Sequence, residues 1–296
     1  MEKNVNARIK LIISMTIFGT LGLFVRNIPV SSGELALYRA ILAMALLGVL
    51  LLSGGHKIPV RKLGKELVLL LLSGAAMAFN WILLFEAYKY TTVSVATLSY
   101  YFAPVIVTLI CPILFKEKMN AKKWLCFVMS TVGIVMITGI GDTGAGSTHL
   151  IGIGFGLGAA CLYATVILLN KFIKEVSGIH RTFLQFAAAV IVLIPYVLLT
   201  SGVSLGNLPA IGWLNLLVVG LVHTGITYIL YFSSLKELPG QKVAILSYID
   251  PLVAVMISVL VLGEELTLWQ ALGGLLILGF TLWNEITPKT ENKTNE

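Results

Sequence analysis

The chain has 296 residues, of which 57% are hydrophobic and only 12% are charged, with a formal net charge of +7. A soluble domain carries about one charged residue in four, so this composition excludes an ordinary soluble protein and predicts an integral membrane protein. The basic excess does not indicate nucleic-acid binding, because the lysines and arginines are scattered over short segments and form no contiguous stripe.

Apolar segments of membrane-spanning length, about 20 residues each, follow one another along the chain. Lys3, Arg8 and Lys10 precede the first segment as in a signal peptide, but Arg26 follows it without a small-residue cleavage site, so we expect a retained helix. Ten spans are predicted: Ile9–Val25, Leu35–Leu52, Leu67–Ala87, Val93–Phe115, Trp124–Ile140, Leu150–Phe172, Thr182–Thr200, Ile211–Leu235, Val243–Leu262 and Leu266–Ile286.

Part of the sequence occurs twice. The segment Ser94–Lys118 returns as Lys242–Glu265, and within it Ser99–Tyr100 matches Ser247–Tyr248, with a proline shortly after each pair. Both copies are very apolar, so the duplicated unit is a set of membrane helices. Five spans per half is an odd number, which places the halves upside down relative to each other, as in many secondary transporters.

The expected fold is therefore all-α and integral to the membrane, with ten transmembrane helices in two inverted five-helix repeats. The first repeat is predicted over residues 1–140 and the second over 150–286. A linker, 141–149, joins them, and a polar tail follows over 287–296.

The distribution of basic residues predicts the orientation. Eighteen of the 21 lysines and arginines fall in the N-terminus, the even-numbered connections and the tail. Because positively charged loops stay in the cytoplasm, both termini are predicted to be cytoplasmic in a plasma-membrane protein.

Both copies of the repeat contain the pattern Val-Ala-x-Leu-Ser-Tyr, followed by a proline and a glutamate, and the chain closes with the apolar segment Leu262–Phe280. These features resemble the drug/metabolite transporter superfamily, EamA type, over almost the whole chain. The resemblance implies a ten-helix carrier with a central cavity and alternating access. Members of this family export or take up small solutes, many of them using the proton gradient.

Asp250 is the sharpest candidate for a functional residue. It lies about 10 Å into the ninth span and precedes Pro251, which removes a backbone donor. An ionisable group at this depth is a functional candidate by default, so we expect Asp250 to couple proton exchange to substrate movement. The alternative is a structural carboxylate paired with Lys242 or a serine. The first repeat has no acid at the corresponding place.

Arg39 lies several residues into the second span. One interpretation is an anchor for an anionic or zwitterionic substrate, because a guanidinium binds a carboxylate through two bonds. The other is a fixed ion pair with Glu86, which we favour slightly, although Lys89 lies three residues from Glu86 and competes for it.

Other polar and aromatic side chains within the spans are candidate substrate-binding residues. The blander interpretation for each is a helix–helix hydrogen bond or core packing. The set comprises Asn80, Trp81, Tyr100, Tyr101, Tyr163, His223 and Tyr248.

We expect no enzyme activity, cofactor or metal, because nothing resembles a phosphate-binding loop, a dinucleotide fingerprint or a metal-hydrolase helix. The three cysteines form no paired motif. The predicted function is export of a small organic solute, amino-acid-like, amine or drug-like, by proton exchange, as a monomer or homodimer in the lipid bilayer. The alternatives are a facilitator or lipid-linked flippase of the same fold, or a membrane scaffold that does not transport.

Overall fold

In the computed structural model, which describes residues 2–54, 64, 66–115, 119–138, 147–176, 178–235 and 237–286, every regular element is helical. Most of the predicted linker, at 141–146, and the whole predicted tail lie outside the described residues.

The first half contains seven helices within the described residues. They are α1 (Glu2–Gly19), α2 (Leu21–Val25), α3 (Ser32–Ser53), α4 (Glu66–Tyr90), α5 (Val93–Tyr100), α6 (Ala103–Phe115) and α7 (Ala121–Ile137).

The second half contains a π-helical stretch in addition to α-helices. In order, the elements are α8 (Ser147–Phe172), α9 (Gly178–Thr200), a 3₁₀ turn (Leu205–Asn207), α10 (Ala210–Leu217), the π-helical stretch (Val218–Ile226), α11 (Thr227–Leu235), α12 (Gly240–Ser247), α13 (Ile249–Leu260) and α14 (Leu268–Ile286).

Within the described residues, seven helical stretches are long and apolar enough to cross a membrane, and Ile245–Leu260 forms a shorter apolar helix. The chain is therefore a multi-pass membrane protein, but the predicted count of ten spans is not confirmed. The fifth predicted span corresponds to α7, which has 17 residues and carries two lysines, Lys122 and Lys123, in its first turn. The tenth corresponds to α14, whose last turn contains Asn284 and Glu285, and these polar residues lower its mean hydropathy.

The repeated sequence corresponds to a repeated break in the helices. In the first copy α5 ends at Tyr100 and α6 begins at Ala103, and in the second α12 ends at Ser247 and α13 begins at Ile249. A proline lies in the first turn of the helix after each break, where its missing N–H group removes no helical hydrogen bond.

The core lies where α3, α4, α8 and α9 pack together, and Phe85 and Phe186 are fully buried there. Separately, α7 packs mainly against α14, and two glycines permit their close approach. A Cβ atom on Gly273 would lie 2.5 Å from the Gly133 carbonyl oxygen, and one on Gly133 would lie 2.6 Å from the Gly273 carbonyl oxygen. Only residues without a side chain fit at this crossing.

A buried carboxylate fixes the start of α3. Glu34 is 2% exposed and accepts hydrogen bonds from the backbone N–H of Ser31 at 3.2 Å and the hydroxyl of Tyr38 at 3.0 Å. It also accepts bonds from the backbone N–H of Ser204 at 2.6 Å and from that residue's hydroxyl. Glu34 therefore ties α3 to the connection that precedes α10.

Candidate functional site

A cavity of about 310 Å³ lies between the two halves. The helix breaks form part of its wall, because Tyr100 and Tyr101 contribute from the first break and Tyr248 and Asp250 from the second. An interrupted helix ends its backbone ladder in mid-span, which exposes polar groups there, and many transporters bind their solutes at such places.

Arg39 reaches the cavity from α3. Its residue is 3% exposed, and its Nε donates a 3.1 Å hydrogen bond to the hydroxyl oxygen of Thr224, in the π-helical stretch. The guanidinium carbon lies 4.5 Å from the ring centroid of Trp81 and 5.4 Å from that of Phe85. Among the described residues, no hydrogen bond is found for the two terminal nitrogens, so they remain available to a ligand in the cavity.

Thr224 in turn donates its hydroxyl to the carbonyl of Val219 at 2.8 Å. This bond fixes the orientation of the Thr224 hydroxyl, whose oxygen accepts the hydrogen bond from the Arg39 Nε. Single π-helical turns are often found at functional sites, and here the π-helical stretch supplies the group that orients a buried cation.

The prediction of an Arg39–Glu86 pair was wrong. Glu86 accepts from Lys89 at 2.9 Å, one turn along the same helix, and does not line the cavity. The residues of α4 that line the cavity are Trp81, Leu84 and Tyr88, spaced at three and four residues along one face. Glu86 lies on a different face of the helix.

Asp250 lies at the second break and lines the cavity. Its Oδ2 accepts a 2.6 Å hydrogen bond from the hydroxyl of Tyr101, which lies at the first break. The alternative pairing with Lys242 is not among the ion pairs of the described residues. The carboxylate therefore faces the cavity and is held by a neutral phenol from the other half.

Tyrosines form much of the remaining wall. The rings of Tyr100 and Tyr163 are stacked with centroids 5.2 Å apart, and Tyr101 lies 6.0 Å from Tyr100 and 6.5 Å from Tyr248. Rigid aromatic faces with hydroxyl tips provide apolar contact area and hydrogen bonds together.

Two further predicted site residues, besides Glu86, lie outside the cavity. The side-chain amide of Asn80 donates to the carbonyl of Ala159 at 2.6 Å and so joins α4 to α8. His223 is 2% exposed and its Nε2 lies 2.9 Å from the hydroxyl of Thr20, at the break between α1 and α2. Both are helix–helix contacts, as the blander interpretation expected.

Several cavity residues were not identified from the sequence. Tyr88, Tyr228 and Tyr231 line the wall, as does Glu285 near the end of α14. Tyr228 and Tyr231 are polar aromatic residues within an apolar span, so the argument that identified the other tyrosines applies to them as well. Thr224 could not be identified from the sequence, because a single threonine in a span usually bonds only to its own helix.

This fold and this cavity define a membrane transport protein. The chain belongs to the EamA-like transporter family, whose sequence pattern matches residues 7–139 and again residues 150–284.

The chain is 33% identical over 275 residues to YxxF of Bacillus subtilis, named an uncharacterized transporter, with 92% of this chain and 86% of that protein covered. It is 29% identical over 282 residues to an uncharacterized transporter of Archaeoglobus fulgidus, covering 93% of this chain and 95% of that protein. One crystal structure superposes with a TM-score of 0.64 and 17% identity, covering 93% of this chain and 95% of the other, which supports the fold alone. The relatives are named as transporters, and the family is a transporter family rather than an enzyme family.

Proposed function

We propose that this protein is a secondary transporter that exports a small organic metabolite across the plasma membrane by alternating access, in exchange for protons. The observation that carries the proposal is the cavity between the halves, which brings together a cation, Arg39, and a carboxylate, Asp250, from opposite halves.

The substrate class follows from the wall of the cavity. A guanidinium with free terminal nitrogens binds a carboxylate or another planar anion through two parallel bonds. The tyrosines and Trp81 favour an apolar or aromatic body on the same solute. A volume of about 310 Å³ is at the lower end for ligand pockets, which suits an amino-acid-like solute rather than a lipid-linked one.

The same reasoning extends to the architecture. We propose ten spans in two inverted repeats, 1–140 and 150–286, with both termini cytoplasmic. The matching helix breaks at Tyr100 and Ser247 support a structural duplication. Family matches of similar length, 7–139 and 150–284, agree with it.

Asp250 is the proposed proton-exchange group. It is the acid at the break of the second half, and its partner Tyr101 is neutral, so no cation in direct contact compensates a charge on it. Because an uncompensated charge in an apolar cavity is costly, the arrangement favours exchange of a proton when the surroundings change.

A ligand-stabilisation screen on purified protein, followed by flux in proteoliposomes, tests the proposal. Binders are compared with and without a pH gradient, in wild type and Asp250→Asn. The matched control is Glu265→Gln, which removes the charge of an exposed acid away from the cavity.

We expect flux that follows the pH gradient in wild type and the control, and its loss in Asp250→Asn. Gradient-driven flux that survives in Asp250→Asn would remove this residue from the mechanism. Flux indifferent to the gradient would make the protein a facilitator. Binding without any flux would favour a flippase or a scaffold and overturn the proposal.

A further inference from the structure

A second pocket, of about 480 Å³, lies beyond one end of the central cavity. Its wall includes Arg26, Ser32, Phe85 and Lys89. Tyr88 lines this pocket and the central cavity alike, and Phe85 lines it while its ring lies 5.4 Å from the guanidinium carbon of Arg39. Both aromatic residues are buried, at 6% and 1% exposed, so they form the partition between the two spaces.

The two spaces lie toward opposite ends of the helices. The central cavity extends to the exposed Glu285, near the end of α14. The second pocket includes Arg26, whose partner Glu264 lies just before the start of α14 at Leu268. From Leu268 to Glu285 the helix rises by 17 residue steps, or about 26 Å, which is most of the thickness of a membrane. We call the Glu285 end the mouth face and the Glu264 end the closed face.

At the closed face, one carboxylate of the second half is bound by groups of the first. Glu264 forms an ion pair with Arg26 and accepts a 2.7 Å hydrogen bond from the backbone N–H of Val93. It also accepts a bond from the hydroxyl of Ser258, which itself accepts a 3.2 Å bond from the backbone N–H of Ser94.

Arg26 extends this contact to α4. Its Nη2 donates to the carbonyl of Tyr88 at 3.1 Å and to that of Thr91 at 2.8 Å. The Glu264 side chain is sheltered at 9% exposed, whereas the Arg26 side chain is partly exposed at 32%. The ion pair therefore joins the second half directly to the residue, Tyr88, that separates the two spaces.

We propose that the second pocket is the closed half of the transport path, and that the Arg26–Glu264 pair is the gate that holds Tyr88 across it. When the pair opens, Tyr88 is released and the central cavity becomes continuous with the closed face. The solute that passes is the small organic anion for which Arg39 is suited. The proposal rests on the alternating access proposed above, and the predicted orientation makes the closed face extracellular.

The gate is tested by the accessibility of a cysteine, which requires no substrate. Leu84 lines the central cavity, so Leu84→Cys reports access to it. The natural cysteines, Cys111, Cys126 and Cys161, are first replaced by alanine. A membrane-impermeant methanethiosulfonate reagent is then applied to right-side-out and to inside-out vesicles, and the labelling rate is measured from each face.

In the parent we expect labelling from the mouth face and little from the closed face. Glu264→Gln removes the charge and retains an amide oxygen for the N–H of Val93, so the fold is kept while the pair is lost. Labelling from the closed face should rise roughly tenfold, the usual size of a coupling between two states, and labelling from the mouth face should fall. Glu265→Gln, the adjacent and exposed acid, should match the parent.

Parent rates in Glu264→Gln, or an equal rise in Glu265→Gln, would overturn the gate. If Glu264→Gln does not fold, Arg26→Lys serves instead. A lysine keeps the charge but cannot reproduce the fork that reaches Tyr88 and Thr91, so an intermediate rise is expected and no rise overturns the proposal. If Glu264→Gln raises labelling from the closed face but the wild-type protein shows no proton-driven flux, the gate is supported and the proposed proton exchange is refuted.

Discussion

Thr224→Val removes the group that orients Arg39 while keeping the volume of the side chain. The hydroxyl oxygen accepts from the Arg39 Nε at 3.1 Å, and valine has no acceptor. A hydrogen bond to a charged group contributes roughly 1.5–3 kcal/mol, and at this length the lower value applies. The buried guanidinium then turns to satisfy Nε and one of its terminal nitrogens loses the direction needed for a two-bond contact with an anion.

Loss of one such bond, about 1.5 kcal/mol, corresponds to roughly tenfold weaker binding of an anionic solute. The assay is calorimetric titration of purified protein with the strongest anionic binder from the stabilisation screen. Thr224→Ser restores the acceptor and should recover most of the affinity. Thr165→Val is the matched control, because among the described residues the Thr165 hydroxyl bonds to the carbonyl of Cys161 in its own helix and to no other helix. Unchanged affinity in Thr224→Val, or no recovery in Thr224→Ser, would refute the orienting role.

Three further substitutions test the site and the fold. Arg39→Lys keeps a charge but lacks the planar fork, so affinity for an anionic binder should fall about tenfold in the same titration, and unchanged affinity would exclude a two-bond anchor. Glu34→Gln replaces the carboxylate that accepts from Ser204 by a neutral amide, so the free energy of unfolding should fall by about 2 kcal/mol. Thermal unfolding in detergent measures it, and an unaltered midpoint would contradict the role of Glu34 in joining α3 to the connection before α10. Gly273→Ala places a Cβ against the Gly133 carbonyl, and the two helix backbones cannot move apart without losing contacts. The free energy of unfolding should therefore fall by about 1–3 kcal/mol, whereas wild-type stability would mean that α7 and α14 do not pack closely here.

The sequence was sufficient for the features that depend on local pattern. The repeat around Ser99–Tyr100 and Ser247–Tyr248 corresponds to the two broken helices, and a charged residue deep in a span, Arg39 or Asp250, identified the wall of the cavity. Such residues are visible because an apolar span tolerates them only where a partner or a cavity exists.

What the sequence left undetermined was the rotation of each helix about its own axis. Arg39 and Glu86 were predicted to lie at similar depths in the membrane, and the predicted ion pair was based on this depth alone. Trp81, Phe85 and Tyr88 set the face of α4 that meets the arginine, and Glu86 lies off that face. Only the packing of α4 against its neighbours decides which face turns inward.

The π-helical stretch was also beyond prediction, because its residues have no composition that separates them from an α-helix. Its effect is to change the register after Val218, which directs His223 to Thr20 and Thr224 to Arg39. A one-residue change of register moves every later side chain around the helix by about 100°. The residues that orient the anchor were therefore invisible to spacing arguments.

Arg39 and Asp250, the two charged residues on which the proposed transport depends, are each bonded across the boundary between the halves. Arg39 of the first half is held by Thr224 of the second, and Asp250 of the second is held by Tyr101 of the first. Because the bonds join the two halves that the proposed alternating access would move relative to each other, such a motion would change the partners of Arg39 and Asp250 together. In the proposed exchange, a solute on Arg39 and a proton on Asp250 would therefore act on the same equilibrium, each only as far as it prefers one arrangement of the halves.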